Sequence, residues 1–307
     1  MPDIAVSVQS EPADLASWLA LARRLESAGF HALLMGDHPG AGAAPWPALG
    51  SAAAVTRTLR LGTYVSQAGV REPMHVAADA ATLDLLAPGR VLLGIGAGHT
   101  PREWADIGQD RPSPRERAER LAEFTEAVAA LLSGRTVTLD GSHLRLREAR
   151  LDDLPAHGRV RLAVAGGNPL ILATAARLAD VVALSGLGRT LADGHRHEVR
   201  WSQANLHRQL RLVRDQARQA GRTPVIEALV QSVEVTSDRK AAVERLSTKF
   251  TGASAQDIDR TPFLLIGSHA EMAAQLRTQA GELGITSYVV REDAVSDLEQ
   301  VLTLLKN

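Results

Sequence analysis

The chain has 307 residues, 45% of them hydrophobic and 22% charged, with a formal net charge of -1. That balance belongs to a globular chain with enough apolar surface for a large core, and it argues against nucleic-acid or membrane-surface partners, which need a dominant basic field. The absence of cysteine excludes disulfides, thiolate metal sites and a cysteine nucleophile.

Strand-like and helix-like segments alternate along the chain. Ile4–Val8 reads as a short strand, followed by a helix over Leu15–Ala28, where Leu15, Trp18, Leu19, Ala22 and Leu25 recur at helical spacing. Gly29 stands at the expected C-cap. Ala32–Gly36 is a second strand ending in Asp37-His38-Pro39, and Leu59–Ser66 is a third, followed by a helix over Met74–Leu86. Val91–Ile95 is a fourth strand leading into Gly96-Ala-Gly-His-Thr-Pro101, with a helix over Arg115–Leu132 beyond it. Thr136–Leu146 reads as a hairpin around the two-residue turn Asp140-Gly141. The alternation resumes with strand Arg161–Ala165, helix Leu170–Leu178 and strand Val181–Leu184. A polar stretch, Leu187–Ser202, leads into a helix from Gln203 to Ala220. Val225–Val235 is the seventh strand and Ser287–Val290 the eighth. Helices at Arg239–Lys249 and Ala270–Leu283 and a short apolar run, Phe263–Ile266, lie between them, and Asp297–Leu305 closes the chain as a helix.

Repeated strand–helix units imply a parallel sheet with helices outside, and about eight of them favour a closed (β/α)8 TIM barrel over an open sheet. Without a linker or low-complexity tract, residues 1–307 are expected to form one domain. No run reaches the roughly 20 apolar residues of a membrane span, and the N-terminus lacks the pattern of a signal peptide, so the expected location is cytoplasmic. Chemistry in such barrels collects at the C-terminal strand ends. The residues expected there are Asp37-His38, Tyr64-Val-Ser-Gln67, Gly96 to Arg102, Gly166-Gly-Asn168 and Ser185-Gly186.

Gly166-Gly167-Asn168-Pro169 carries the sharpest local signal. Asn168 is a favoured N-cap, Pro169 suits the first helical position, and two preceding glycines let a ligand approach the helix start, where a phosphate is welcome. A tight βα turn that needs glycine only for its geometry gives the same pattern. Gly94-Ile-Gly-Ala-Gly98 is a poor dinucleotide fingerprint: its third glycine comes too early, Pro101 does not suit a helix opening directly from the turn, and Glu119 falls within a helical run. These glycines either clear space for a flat ligand or make a plain tight turn. His38 follows a strand, opposite His99 on the expected rim, where two imidazoles could divide orientation and proton transfer; histidines at such positions also serve as structural hydrogen-bonders. The cluster His195-Arg-His-Glu198 lacks metalloprotease spacing and reads as solvated surface, as does the charge-rich run Arg111–Arg120. Asp84 and Arg90 are expected to tie down the turn at Ala87-Pro-Gly89. Neither a G-x-S-x-G elbow nor a Walker A pattern is present.

Taken in order, Gly36-Asp-His38, Leu61-Gly-Thr-Tyr-Val65, Arg71-Glu-Pro73, Thr82-Leu-Asp84, Gly89-Arg90, Leu93-Gly-Ile-Gly-Ala-Gly98, Ala165-Gly-Gly167, Ala179-Asp180, Phe263-Leu-Leu-Ile-Gly267 and Gly284-Ile-Thr-Ser-Tyr288 resemble the luciferase-like superfamily of flavin and F420 oxidoreductases. The Asp-His pair and the arrangement around Trp201 and Val225–Asp238 are most similar to its F420-dependent branch. The resemblance implies a homodimeric oxidoreductase that passes a hydride between coenzyme F420 and a small-molecule substrate at the barrel mouth. It assigns Asp37 and His38 to the deazaflavin, with His38 as the first choice for proton transfer and His99 the second. Tyr64-Val65 matches a bulge that often carries a non-prolyl cis peptide, and Ser66 and Gln67 would line the ring's polar edge. Gly98, His99, Thr100 and Arg102 match the loop flanking ring and side chain; Ala165, Gly166, Gly167 and Asn168 match the phosphate turn, with Ser185 beside it. His99 and Leu187 depart from the glutamate and lysine of the related sugar-phosphate dehydrogenases, which speaks against a sugar phosphate. With aromatics at 3%, aliphatic side chains are expected to line the pocket. The competing readings are an FMN-dependent monooxygenase, a flavin-binding protein without turnover and, more distantly, an NAD(P) enzyme.

Overall fold

Period-two alternation of apolar side chains sets the architecture in the computed structural model, which describes residues 3–152, 160–191 and 197–306. Strands β1 (Ala5–Gln9), β2 (Ala32–Met35), β3 (Arg60–Gln67), β4 (Val91–Gly96), β5 (Arg161–Ala165), β6 (Val181–Leu184), β7 (Val225–Leu229) and β8 (Ile285–Arg291) pair in parallel in chain order, and β8 closes on β1. This is the expected closed barrel. Val6, Val8, Leu33, Leu61 and Leu93 face the surrounding helices, whereas Leu34, Tyr64, Leu92, Ala163 and Val289 fill the interior, the two-sided burial that a parallel barrel requires.

Local signals set most helix ends. Gly29 ends the first helix at φ +84°, the left-handed conformation that glycine adopts without strain. Asn168 caps Leu170 N at 2.8 Å with Pro169 at the first helical position. Asp84 accepts from Gly89 N at 2.9 Å, and Arg90 donates to Leu59 O and Thr56 Oγ1, tying down the turn before β4 as expected.

The structure departs from the sequence reading in several places. The segment Val225–Val235 is not one strand: after Leu229 the chain leaves β8, and Ser232–Val235 pairs in parallel with Leu264–Gly267, the former apolar run. Gln231 N donates to Phe263 O at 2.7 Å where the chain changes partners. The outer hairpin, Val137–Asp140 with Arg145–Ala149, turns through Gly141–Leu144 rather than through two residues, because Asp140 pairs with Arg145. The Glu123 carboxylate accepts from Ser142, His143 and Leu144 N at 2.9 to 3.0 Å, and so fixes the wider loop. Short helices at Pro45–Ala53, Pro101–Asp106 and Ala255–Arg260 lie in segments where the sequence reading placed no helix. Within Leu187–Ser202 the strands Leu187–Thr190 and His197–Val199 form an antiparallel pair; His195 lies outside the described residues.

Candidate active site

The C-terminal ends of β2, β3 and β4 bring the first group of expected residues together. Asp37 is buried, and both its oxygens accept from Arg71, at 3.1 Å from Nε and 2.7 Å from Nη2. His38 stands beside it with Nδ1 2.6 Å from Glu103 Oε1. A carboxylate oxygen can only accept, so the proton sits on Nδ1 and leaves Nε2 for a ligand. The side chain of His38 is 37% exposed and that of Glu103 only 2%; the hydrogen bond to Glu103 raises His38 above its usual value against the opposing effect of burial. Gln67 Nε2 donates to the other oxygen of Glu103.

His99 completes a row of imidazoles. Its ring centroid lies 5.9 Å from that of His38 and 4.9 Å from that of His197, both edge-to-face. Burial, then the neighbouring His197 and His38 charges, push His99 down to about 4. One cluster therefore holds a histidine that favours its proton and another that stays neutral near pH 7. This places His197 at the site, which corrects its reading as solvated surface. The run Arg111–Arg120 is corrected too. Arg117 donates to Gly98 O, and Arg120, 15% exposed, donates to Ala68 O and His143 O at 2.8 Å, so this helix face anchors the mouth loops.

On β3 the Tyr64–Val65 peptide is cis, and the register against β4 shifts between Thr63 and Ser66, as the resemblance implied. The glycines of β4 serve that bulge: a Cβ on Gly94 would lie 2.3 Å from Thr63 O, and one on Gly96 would lie 2.4 Å from Val65 Cγ2. Their room is taken by β3, which corrects the reading of a space cleared for a flat ligand. Gly98, at φ +76°, lies against Gln67 in the same way. Thr100 takes the N-cap position, without a side-chain capping bond, of the helix that Pro101 opens, correcting the expectation that Pro101 does not suit a helix start there. That helix delivers Glu103. Arg102 points the other way, 76% exposed and 3.4 Å from Asp106.

The second group sits on β5 and β6. Ala165, Gly166 and Gly167 are half-buried and Asn168 is exposed. Gly166 is needed for packing, since its Cβ would lie 2.8 Å from Ile171 Cγ2, while a Cβ on Gly167 would meet Gln209 Nε2 at 3.2 Å and Leu187 O at 3.9 Å. Ser185 Oγ accepts from Leu187 N at 3.3 Å. Trp201 is fully buried and stacks on Phe263.

Two buried polar atoms at the end of β3, Ser66 Oγ and Gln67 Oε1, have no partner among the described residues. Ser66 Oγ can donate and Gln67 Oε1 can accept, a pair of unmet groups that fits the mixed donors and acceptors of a flavin-like polar edge. Sequence reasoning missed Arg71 as a site residue, together with Glu103 and His197. It also missed Gln9, whose Nε2 donates to Tyr64 O at 2.9 Å.

A closed parallel barrel with a cluster of ionisable residues at its C-terminal mouth defines the class, a (β/α)8 barrel with its candidate site in the strand-end loops. Within that class the chain belongs to the luciferase-like monooxygenase family, whose model matches residues 1–283. It is 30% identical over 304 residues to an F420-dependent glucose-6-phosphate dehydrogenase of Kribbella flavida, covering 96% of this chain and 84% of that one. It is 38% identical over 192 residues to a protein of the same name from Beutenbergia cavernae, covering 60% of this chain. The matched segment spans 56% of the Beutenbergia cavernae protein and 53% of a further relative from Intrasporangium calvum. An F420-dependent secondary alcohol dehydrogenase in complex with an F420-acetone adduct superposes with a TM-score of 0.77 at 19% identity over the whole of both chains. The F420-dependent tetrahydromethanopterin reductase of Methanopyrus kandleri gives 0.73 at 17%, over 98% of this chain and 97% of that one. At such identities these structures show the shared fold.

Proposed function

We propose that the protein is an F420-dependent oxidoreductase that transfers a hydride between the deazaflavin and a small organic substrate. The observation that carries this reading is the His38–Glu103 pair at the mouth, set beside the unpartnered Ser66 Oγ and Gln67 Oε1. The similarity to the Kribbella flavida protein over 96% of this chain supports the cofactor. When bound, F420 supplies the two-electron chemistry at C5 of its ring.

The chain's own residues supply binding and proton handling. Tyr64 and Val65 would back the ring, with Ser66 and Gln67 at its polar edge. Gly98, His99 and Thr100 would flank it, with Arg102 toward the solvent side. Ala165, Gly166, Gly167, Asn168 and Ser185 would receive the phosphate-bearing tail. Asp37, neutralised by Arg71, holds the β2 loop so that His38 faces the mouth. His38 Nε2 holds the proton to be given or taken at the substrate, and Glu103 is a positioning residue that stabilises the protonated ring through Nδ1. His99, neutral near pH 7, orients the substrate and provides a second proton-transfer group.

A neutral carbonyl or alcohol suits this site better than a sugar phosphate. Leu187 offers only an aliphatic side chain, and His99 carries no charge to meet a dianion. Titration of the purified protein with F420, FMN and NADPH, followed by fluorescence, tests the cofactor. F420 is expected to bind tightest; tight FMN binding without F420 binding overturns the proposal and favours monooxygenation. Turnover with bound F420 over secondary alcohols, enones and glucose 6-phosphate then tests the substrate class. Reaction with glucose 6-phosphate alone overturns the neutral-substrate assignment, and binding without any turnover leaves a flavin-binding protein. Size-exclusion chromatography of the same sample checks the expected homodimer.

A further inference from the structure

The opposite end of the barrel has a cavity that plays no part in the reading above. It measures about 570 Å³, and Ala5, Arg60, Leu92, Arg161, Val181 and Val225 line it, each the first or second residue of its strand. The cavity therefore occupies the N-terminal floor. Arg60 and Arg161 share the inward parity of Tyr64 and Ala163, so both side chains enter the barrel interior rather than the helix layer. Bulky apolar residues usually fill a barrel at this level.

The charges on this floor are not balanced where they meet. The Arg161 guanidinium is half-buried and has no hydrogen-bond or ion-pair partner among the described residues. Arg60 commits one donor, Nη1, to Gly89 O at 2.9 Å. His31 lies on the same wall, where burial, then Arg60 and Arg161, hold it down to about 4. Of the acidic groups lining the cavity, Glu26 is already engaged: its Oε1 accepts from the backbone N–H groups of Arg57, Thr58 and Leu59. Asp3 is exposed at the edge. Glu227 closes the inner end, 1% exposed, with Ser287 Oγ donating to its Oε2 at 2.7 Å and the Tyr64 hydroxyl close enough to interact with the carboxyl. Burial raises this carboxyl to about 7 against the hydrogen bonds of Ser287 and Tyr64 and the Arg161 charge, so part of the population keeps a proton on it near neutrality.

We propose that this floor cavity binds the oxyanion group of a small metabolite, a phosphate or a carboxylate, held by Arg60, Arg161 and His31, with the Glu227 carboxyl donating from the interior. Two guanidinium forks and one acid O–H supply donors, while the ionised Glu26 on the same wall has its charge met by the backbone N–H groups of Arg57, Thr58 and Leu59. The volume leaves room for an organic body beside the oxyanion.

Calorimetric titration of the full chain with inorganic phosphate and, separately, with succinate, at ionic strength fixed with sodium chloride, tests this. Saturable one-to-one binding of at least one probe is expected, and which probe binds identifies the oxyanion. Arg161→Gln and Arg60→Gln should each weaken it at least about tenfold; Arg24→Gln, at a surface ion pair with Glu299, should leave it unchanged. Should either floor variant fail to fold by circular dichroism, the His31 ring proton resonance in the unaltered protein gives the second measurement, because a bound oxyanion raises the pH at which it titrates. Absence of saturable binding of both probes, full binding by Arg161→Gln, or a His31 titration that saturating probe does not move would overturn the assignment.

Discussion

The mouth and the floor of the barrel each gather histidine, arginine and a buried carboxyl, yet only the mouth raises one of its histidines, its neighbour His99 being lowered as His31 is at the floor. His38 at the mouth is raised because Glu103 accepts its Nδ1 proton, whereas His31 at the floor is lowered by burial and by two arginines. The difference traces to the connections. At the mouth, β4 runs into a loop and a short helix, Pro101–Asp106, long enough to carry a carboxylate across to the end of β2. At the floor only Gly29, Phe30 and His31 separate the first helix from β2, and so short a link brings no partner of its own. Longer strand-to-helix segments therefore equip one end of the barrel to stabilise charge, while the other leaves cations exposed to one another.

The largest expected effect is at the mouth. His38→Asn should lower the rate of hydride transfer by about 10² to 10⁴ with little change in F420 affinity, measured by stopped-flow absorbance and by binding. An acid works only while protonated, so where His38 donates, kcat/KM should fall as pH rises through its raised pKa. Glu103→Gln removes the acceptor that holds the proton and should shift that limb to lower pH. A pH profile identical to that of the unaltered enzyme would reduce Glu103 to a packing role.

Glu227 ranks next. Its value is about 7 in the folded chain against an ordinary 4.5, so the folded state keeps a proton that the unfolded state has already released. The group contributes fully below about pH 4.5 and loses its contribution as pH rises to about 7, a change of about 3 kcal/mol. Chemical denaturation of the protein and of Glu227→Gln across pH 4 to 8 measures it: the difference between them should grow through that window in favour of Glu227→Gln and level off above it. A constant difference would show that Glu227 titrates alike in both states.

Much of this contrast was legible in the residues. Strands β5 and β6 were read to their last residue because short β-branched and apolar runs are bounded there by glycine, asparagine and aspartate. The short helices were not, since a turn and a half shows too little periodicity to distinguish it from a loop. Glu103 is hidden for that reason, and because the Pro101 that spoils a dinucleotide turn is equally at home in the first helical position. His197 and Arg120 were read as solvated because each meets its partners across long sequence separations, His197 at His99 and Arg120 at Ala68 and His143. A local polar pattern holds no record of such contacts. The floor arginines went unremarked for the same reason, being separate in sequence and joined only by barrel closure.

The smallest effect discriminates best between a ligand turn and a plain one at the start of the β5 helix. Asn168 spends its side chain on Leu170 N, so Asn168→Ala should cost about 1 kcal/mol of stability whether or not a phosphate binds there. Gly166→Ala is confounded by Ile171 at 2.8 Å. Gly167→Ala is less so: its added methyl meets the side-chain end of Gln209 at 3.2 Å, which also donates to Gly167 O, and lies in ordinary contact with Leu187 O at 3.9 Å, and the residue is not in the left-handed region. The melting temperature of Gly167→Ala should therefore stay within a few degrees of the original, about what a surface substitution gives. A loss of F420 affinity without a loss of stability would place the ligand's backbone against this turn. Unchanged affinity would remove residues 165–168 from the cofactor's path and leave the mouth cluster around His38 as the whole of the binding site.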